Sequence, residues 1–310
     1  MTSFDKRGGE PAGGTFSAET EPERGENVEA LWEKEDIVTL SLRRHSKYDT
    51  ERGSPRVGSL TKEGIEEARQ KAKAWHERVP KGAEVEIYES PSFMVAGERA
   101  LPEPHKVKPR RATITASTYE KEVFGRLAPA KMEKGLLQSV RRKRSYLLGD
   151  FVESAKKTEL IPNFFKARGK AYGSNDEKFW GDFVEGKLDP QVQEALTAFG
   201  GSSPLDLAKN MADFIAGVSG AKKEKSEVKQ IALAVTHGET MESFLFHLEK
   251  FLKEKQGFPP EAKRVAIKHN EGFDAHIGLD GNLVVDTGEG KILQVNLDEF
   301  KDYLAKAAAS

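Results

Sequence analysis

The sequence predicts an α/β fold in which a mostly parallel central sheet is flanked by helices on both faces. Two apolar runs rich in β-branched residues, 36–43 and 230–239, have the composition of buried strands. A third run, 83–92, alternates in polarity like a strand, and segments with helical periodicity separate the three. Strands that alternate with helices are typical of an α/β sandwich.

The N-terminal half divides into a tail and the first strand–helix units. Residues 1–27 are rich in glycine and charge, lack the apolar stretch of a signal peptide, and are predicted to be a disordered tail. Residues 28–34 favour a short helix before the strand at 36–43. A longer helix follows in SLTKEGIEEARQKAKAWHERV, where Ser59 or Thr61 can cap the N-terminus and apolar residues recur at helical spacing.

The rest of the chain is predicted to complete one α/β domain over 28–310. The Pro-rich basic insert at about 93–110 has loop composition, with no role assigned to it, and a helix is expected over 111–127. Amphipathic segments separated by Gly, Ser and Pro predict a helical insertion at about 131–218. After the strand at 230–239 and its following helix, further strands and a closing helix are expected, with a turn at Asp280-Gly281.

Composition excludes several classes of function. With 49 basic and 50 acidic side chains among 310 residues, the net charge of -1 gives no overall attraction to nucleic acid or to an anionic membrane. The RRKR run at 141–144 lacks interleaved aromatic residues and is interpreted as solvated surface. Cysteine is absent, and no apolar run reaches the roughly 18 residues of a membrane span. We therefore expect a soluble, cytoplasmic protein without nucleic-acid or membrane partners.

Two predicted strands end in a histidine. Arg44-His45 follows the first strand and Thr236-His237-Gly238 follows the later one. Ligand sites of open α/β sheets lie beyond the carboxyl ends of the strands, so the two histidines are candidates to share a pocket. Arg111 opens a helix that follows another strand. Arginine forks and helix N-termini bind phosphate oxygens, and a neutral imidazole can attack phosphorus, so the trio favours phosphate chemistry.

The order of these motifs resembles the histidine phosphatase superfamily, which has the phosphoglycerate mutase-like fold. LRRHS, LTKEGIEEA, SPS followed by RRATITA, and VTHGE occur in that order and together span about 36–245. The resemblance implies that His45 is the nucleophile and becomes phosphohistidine. It also implies that Arg44, Arg111 and His237 hold the phosphoryl oxygens and stabilise their charge, with no metal and no other cofactor.

A carboxyl group is expected to protonate the leaving oxygen. The resemblance favours Glu133, and Glu120, Glu122 and Glu239 stay open as alternatives. His76, His105, His247, His269 and His276 show no metal-ligand spacing.

Departures from the family pattern bear on the reaction. Ser46 stands where many relatives have glycine, the asparagine often found in mutases is absent, and the insert at 93–110 splits the S-P and R-A-x-x-T-A elements. We therefore expect a metal-independent phosphomonoester hydrolase, acting on a phosphorylated small molecule or phosphoprotein that the sequence does not identify. The alternatives are a phosphoglycerate-type phosphomutase and a non-catalytic module that binds phosphate or a phosphoprotein.

Overall fold

The computed structural model describes most of the chain in ten stretches, and all statements below refer to them. They are 28–34, 37–48, 60–90, 111–124, 141–151, 157–220, 228–258, 262, 264–288 and 291–309. The predicted tail at 1–27, the insert at 93–110 and Glu133 lie outside the described residues.

The described stretches form nine α-helices and seven β-strands. The helices are α1 (Val28–Leu31), α2 (Lys62–Arg78), α3 (Arg111–Phe124), α4 (Ile161–Tyr172), α5 (Asp176–Val184), α6 (Pro190–Phe199), α7 (Pro204–Gly220), α8 (Gly238–Lys255) and α9 (Leu297–Ala309). The strands are β1 (Ile37–Arg44), β2 (Glu84–Glu89), β3 (Arg141–Arg144), β4 (Gln230–Thr236), β5 (Gly272–Gly278), β6 (Asn282–Asp286) and β7 (Ile292–Asn296). Two 3-10 turns, Tyr146–Leu148 and Thr158–Leu160, lie between β3 and α4.

All seven strands belong to one sheet with the order β3-β2-β4-β1-β5-β6-β7. The first four pair in parallel, and β5, β6 and β7 add an antiparallel meander. The predicted α/β fold with a mostly parallel core is confirmed. In the pairing of β1 with β4, Arg44 stands opposite Thr236. The residues that follow these two, His45 and His237, therefore leave the sheet side by side.

Helices cover both faces of the sheet because the central strands are apolar on both sides. In β4, Ile231, Leu233 and Val235 pack into a core with α2 and α3. Ala232 and Ala234, on the opposite face, join the larger core formed with α7, α8 and α9. Strands buried on both faces read as continuous apolar runs, which is why β4 is recognisable from its sequence.

One of the two predicted N-cap residues of α2, Thr61, is confirmed. Thr61 is the N-cap, and its Oγ1 accepts a hydrogen bond of 3.0 Å from the Gly64 N–H. The buried face of the helix carries Ala68, Ala72 and Trp75, as its periodicity predicts.

The predicted helical insertion at 131–218 is only partly helical. Its described part begins with a strand, β3, and a 3-10 turn, and the helices α4 to α7 follow from Ile161 onward. Aromatic side chains build a separate core there, and the fully buried ones are Phe164, Phe179, Phe183 and Phe199.

The RRKR run at 141–144, interpreted from the sequence as solvated surface, is an edge strand, and its Lys143 side chain is 40% exposed. The four residues form β3, which pairs in parallel with β2 at the edge of the sheet. The Lys143 ammonium lies 2.7 Å from a Glu86 carboxylate oxygen on β2. Edge strands tolerate charge because one side faces solvent, so a run of four basic residues gave no strand signal.

None of the helices in the described stretches is long and apolar enough to cross a membrane.

Candidate active site

The paired ends of β1 and β4 bring His45 and His237 together. Their ring centroids lie 5.3 Å apart, and both side chains are buried. The two residues are far apart in sequence, and it is the register of the β1–β4 pair that makes them neighbours.

The His45 ring has a defined tautomer. Its Nδ1 lies 3.0 Å from the backbone carbonyl oxygen of Ser46. A carbonyl oxygen only accepts hydrogen bonds, so Nδ1 carries the proton and Nε2 carries the lone pair. Nε2 is therefore the atom of this ring that is able to act as a nucleophile.

Hydrogen bonds from two other segments hold the turn that carries His45. The Ser46 N–H donates to Thr115 Oγ1 on α3 at 3.0 Å. The Ser46 hydroxyl donates to the side-chain oxygen of Asn270, which precedes β5. Thr115 is the threonine of the R-A-x-x-T-A motif, so the structure gives that residue a structural role beneath the candidate nucleophile.

Electrostatics keep His45 neutral. Burial lowers the pKa of His45 well below its usual value, and the Arg111 charge and the neighbouring His237 lower it further. A neutral imidazole is the reactive form, because protonation would occupy the lone pair on Nε2.

His237 is held by a serine that follows β2. Ser90 Oγ lies 3.0 Å from His237 Nε2. Burial, opposed by the charge of Glu239, lowers the pKa of His237 to about 4. Ser90 is the serine of the S-P element, so this motif is placed beside the late histidine.

Arg44 reaches the same region from the end of β1. Its Nη1 donates to the Ile267 carbonyl at 2.6 Å, and its buried Nε has no hydrogen-bond partner among the described residues. The guanidinium lies against the backbone of Gly238. A Cβ on that residue would stand 3.0 Å from both Cζ and Nε of Arg44. The His-Gly motif thus leaves space for this guanidinium.

Arg111 is the first residue of α3, as the sequence predicts. Its guanidinium stacks on the ring of Tyr48, with Cζ 4.1 Å from the centroid. The Tyr48 ring in turn lies 5.4 Å from that of His45. Because the Arg111 charge lowers the pKa of both His45 and His237, it acts on both histidines at once.

The glycine of the L-T-x-x-G motif also belongs to this region. The Thr61 N–H donates to the Lys47 carbonyl at 3.1 Å, so the start of α2 packs on the turn after His45. A Cβ at Gly64 would overlap the same carbonyl. Glycine is required there for close backbone approach.

Sequence reasoning missed two aromatic side chains of the site. The His269 ring lies 5.5 Å from that of His45 and 5.9 Å from that of Tyr48. Burial, followed by the charges of Arg44 and Arg111, lowers the pKa of His269 to about 4. Neither residue belongs to a motif, and both lie outside the named helices and strands, so no periodicity points to them.

Two carboxyl side chains lie beside His237, and the sequence predicted only one of them as a candidate. Polar atoms of Asp150, His237 and Glu239 all lie within 4.8 Å of one another. Glu239 is one of the four candidate acids, whereas no sequence signal points to Asp150. Burial raises the pKa of Glu239, and the charge of Asp150 adds to the increase, against the opposing effects of His237 and Arg44.

The other candidate acids are less well placed or not described. Glu133 lies outside the described residues. Glu120 and Glu122 are 9 and 11 residues beyond Arg111 on α3, which corresponds to about 13–17 Å along the helix axis. Glu122 lies 3.8 Å from Arg69 of α2.

A search of solved structures found chains with similar folds, among them the following three. A phosphoglycerate mutase from Bacillus anthracis str. Sterne is 16% identical with a TM-score of 0.50, and the match covers 88% of this chain and 97% of the mutase. A mycobacterial glucosyl-3-phosphoglycerate phosphatase is 15% identical with a TM-score of 0.43, and the match covers 77% of this chain and 89% of that chain. A phosphoserine phosphatase mutant from Entamoeba histolytica is 14% identical with a TM-score of 0.39, and the match covers 83% of this chain and 95% of that chain.

Neither the comparison with protein-family models nor the comparison with curated proteins returned a match. The structural likeness concerns the fold. The 97% coverage of the mutase agrees with the resemblance seen in the sequence motifs. The chain therefore has the phosphoglycerate mutase-like fold.

Proposed function

We propose that this protein is a metal-independent phosphomonoester hydrolase that works through a phosphohistidine on His45. The observation that carries the proposal is the state of His45. Its Nδ1–H is engaged by the Ser46 carbonyl, burial favours the neutral form of its ring, and the lone pair is therefore on Nε2. Arg44, Arg111 and His237 surround that ring with the groups that a phosphoryl dianion requires.

The first step is an in-line displacement at phosphorus. His45 Nε2 forms a bond to phosphorus while the bond to the ester oxygen breaks, and a carboxyl group gives that oxygen a proton. The ring then carries a positive charge, and the Ser46 carbonyl stabilises its Nδ1–H. In the second step water attacks the same phosphorus, the P–N bond breaks, and the carboxylate regains a proton from the water.

Arg44, Arg111 and His237 stabilise the charge on the equatorial oxygens. Groups that are already oriented toward developing charge contribute typically about 10²–10³-fold each to the rate. The Nε of Arg44, which has no hydrogen-bond partner in the described part of the chain, suits this task, as does the position of Arg111 at a helix N-terminus. The substrate class is a phosphorylated small molecule or phosphoprotein.

The test compares hydrolysis of an aryl phosphate by wild type, His45→Ala and His247→Gln, with excess EDTA throughout. His247 is the matched control because it lies on α8 ten residues beyond His237, about 15 Å along the helix axis. We expect EDTA-resistant turnover in wild type and control, and a loss of at least ~10³-fold in His45→Ala. Activity that survives in His45→Ala would overturn the proposed nucleophile.

Labelling separates hydrolysis from the alternatives. Wild type quenched during turnover of a labelled phosphate ester should carry an acid-labile, alkali-stable label on His45. Transfer of that label to a second phosphate acceptor instead of to water would indicate a mutase. Phosphate binding without label or turnover would indicate a binding module.

A further inference from the structure

Asp150 and Glu239 reach His237 from different parts of the chain. Asp150 follows the 3-10 turn after β3, and Glu239 is the second residue of α8. Their polar atoms lie within 4.8 Å of each other and of a polar atom of His237. Two carboxyl groups at such a separation do not both ionise readily, because each charge disfavours the other.

Hydrogen bonds to β4 and α8 hold the segment that carries Asp150. The Thr236 hydroxyl donates to the Leu148 carbonyl at 2.6 Å, and the Thr240 hydroxyl donates to the Gly149 carbonyl at 2.8 Å. These two contacts fix the backbone immediately before Asp150 at the strand end that carries His237. A rigid attachment of this kind suits a group whose distance to its partner matters.

Among the described residues, the charged or titratable groups with the largest effects on Glu239 come from three segments. They are His237 from the end of β4, Asp150 from the 3-10 turn and Arg44 from the end of β1. Together with burial, which is the largest effect, they leave the pKa of Glu239 above its usual value. The raised pKa favours the protonated form of Glu239.

We propose that Asp150 and Glu239 share one proton, and that Glu239 delivers this proton to the leaving oxygen when the phosphohistidine forms. The inference rests on the proposed hydrolase function and names its proton donor. The Glu239 O–H bond breaks as the ester P–O bond breaks, so the alcohol leaves neutral and Glu239 becomes a carboxylate. When water attacks the phosphohistidine, Glu239 takes back one proton, and inorganic phosphate leaves.

The decisive test varies the leaving group. 4-Nitrophenyl phosphate releases a stable anion that needs no proton, whereas phenyl phosphate releases a far more basic one. For Glu239→Gln we expect a loss of about 10²–10³-fold on phenyl phosphate and less than about 10-fold on 4-nitrophenyl phosphate. Glu249→Gln, on the same helix and paired with Lys253 and Lys291, should match wild type on both.

Asp150→Asn tests the shared proton. A general acid is active while protonated, so the rate on phenyl phosphate falls as pH rises through its pKa. Removing the Asp150 charge removes one cause of the raised pKa of Glu239. The alkaline limb of the profile should therefore move to lower pH in Asp150→Asn, while 4-nitrophenyl phosphate shows no such shift.

Distinct outcomes separate the inference from the proposed function. Equal losses on both substrates in Glu239→Gln, with the His45 label still formed, would assign Glu239 to positioning and overturn the inference alone. If the alkaline limb of the pH profile on phenyl phosphate does not move in Asp150→Asn, the inference alone is likewise overturned. Turnover that EDTA abolishes would assign the three side chains to a cation instead. Absence of turnover and label in wild type would overturn the hydrolase function, and the inference with it.

Discussion

At Gly238, the absence of a side chain leaves room for the Arg44 guanidinium in the candidate site. The guanidinium lies in the space that a side chain at 238 would occupy, and its Nη1 is fixed by the Ile267 carbonyl. Arg44 therefore has little freedom to withdraw. Its buried Nε has no hydrogen-bond partner among the described residues.

Gly238→Ala should weaken phosphate binding without unfolding the protein. The new Cβ would stand 3.0 Å from Cζ and Nε of Arg44, so the guanidinium must shift. A displacement of about 1 Å at a catalytic group can cost about 10²-fold in rate. We expect kcat/KM to fall by ~10–100-fold and competitive inhibition by inorganic phosphate to weaken.

The matched control for this substitution is Gly181→Ala on α5, where a Cβ would meet no atom of the described residues within 4 Å. Gly181→Ala should keep the wild-type inhibition constant for phosphate. Unchanged phosphate inhibition in Gly238→Ala would show that the guanidinium does not contact the anion.

At the scale of elements, α2 acts as a support for the turn after β1. Its cap residue Thr61 and its third residue Gly64 both contact the Lys47 backbone. The same turn is bound from α3 through Thr115. Two helices on one face of the sheet therefore hold the His45 loop from two sides.

Gly64→Ala should destabilise this arrangement. Because the added Cβ would overlap the Lys47 carbonyl, α2 and the His45 turn must separate. Overpacking of this kind costs about 1–3 kcal/mol in the free energy of unfolding. Urea unfolding followed by circular dichroism measures the change, and aryl phosphate turnover reports the displaced turn.

Gly217→Ala is expected to stabilise the protein, in contrast to Gly64→Ala. Gly217 lies within α7, and the space that a methyl group would fill there is open, so alanine should stabilise the helix by roughly 0.5–1 kcal/mol. Equal changes in the free energy of unfolding for Gly217→Ala and Gly64→Ala would contradict the close backbone approach at Gly64.

At the scale of the whole molecule, several histidines are kept neutral by burial. Burial is the largest cause that lowers the pKa of His237, His247, His269 and His276, each to about 4. Each folded-state pKa lies below the unfolded value of 6.5, so the unfolded chain binds more protons in this window. Glu239, whose pKa is raised, acts in the opposite direction.

The free energy of unfolding should therefore be greatest above pH 6.5 and decrease as pH falls from 6.5 toward about 4. Urea midpoints at several pH values check this. His247→Gln removes one of these groups at a distance from the candidate site, and its stability should depend less steeply on pH. A midpoint that rises on acidification would contradict the neutral state of the buried histidines.

The sequence by itself determined the fold class, the caps and cores of the main elements, and four residues that the structure brings together. Arg44, His45, Arg111 and His237 each lie at the end of a strand or the start of a helix, where local pattern marks the position. The positions where strands end and helices begin are determined by the local sequence. Their spatial meeting could be expected because parallel strands end at one edge of a sheet.

The other residues of the candidate site and the strand β3 became evident only from the tertiary structure. The four basic residues of β3 gave no strand signal. Asp150, Tyr48 and His269 lie outside the named helices and strands, where no periodicity constrains the side chain. Their neighbours in space are set by strand register and by hydrogen bonds between remote segments, such as those from Thr236 and Thr240 to the turn before Asp150. Local sequence does not encode distances of that kind, because they arise only when the whole sheet has formed.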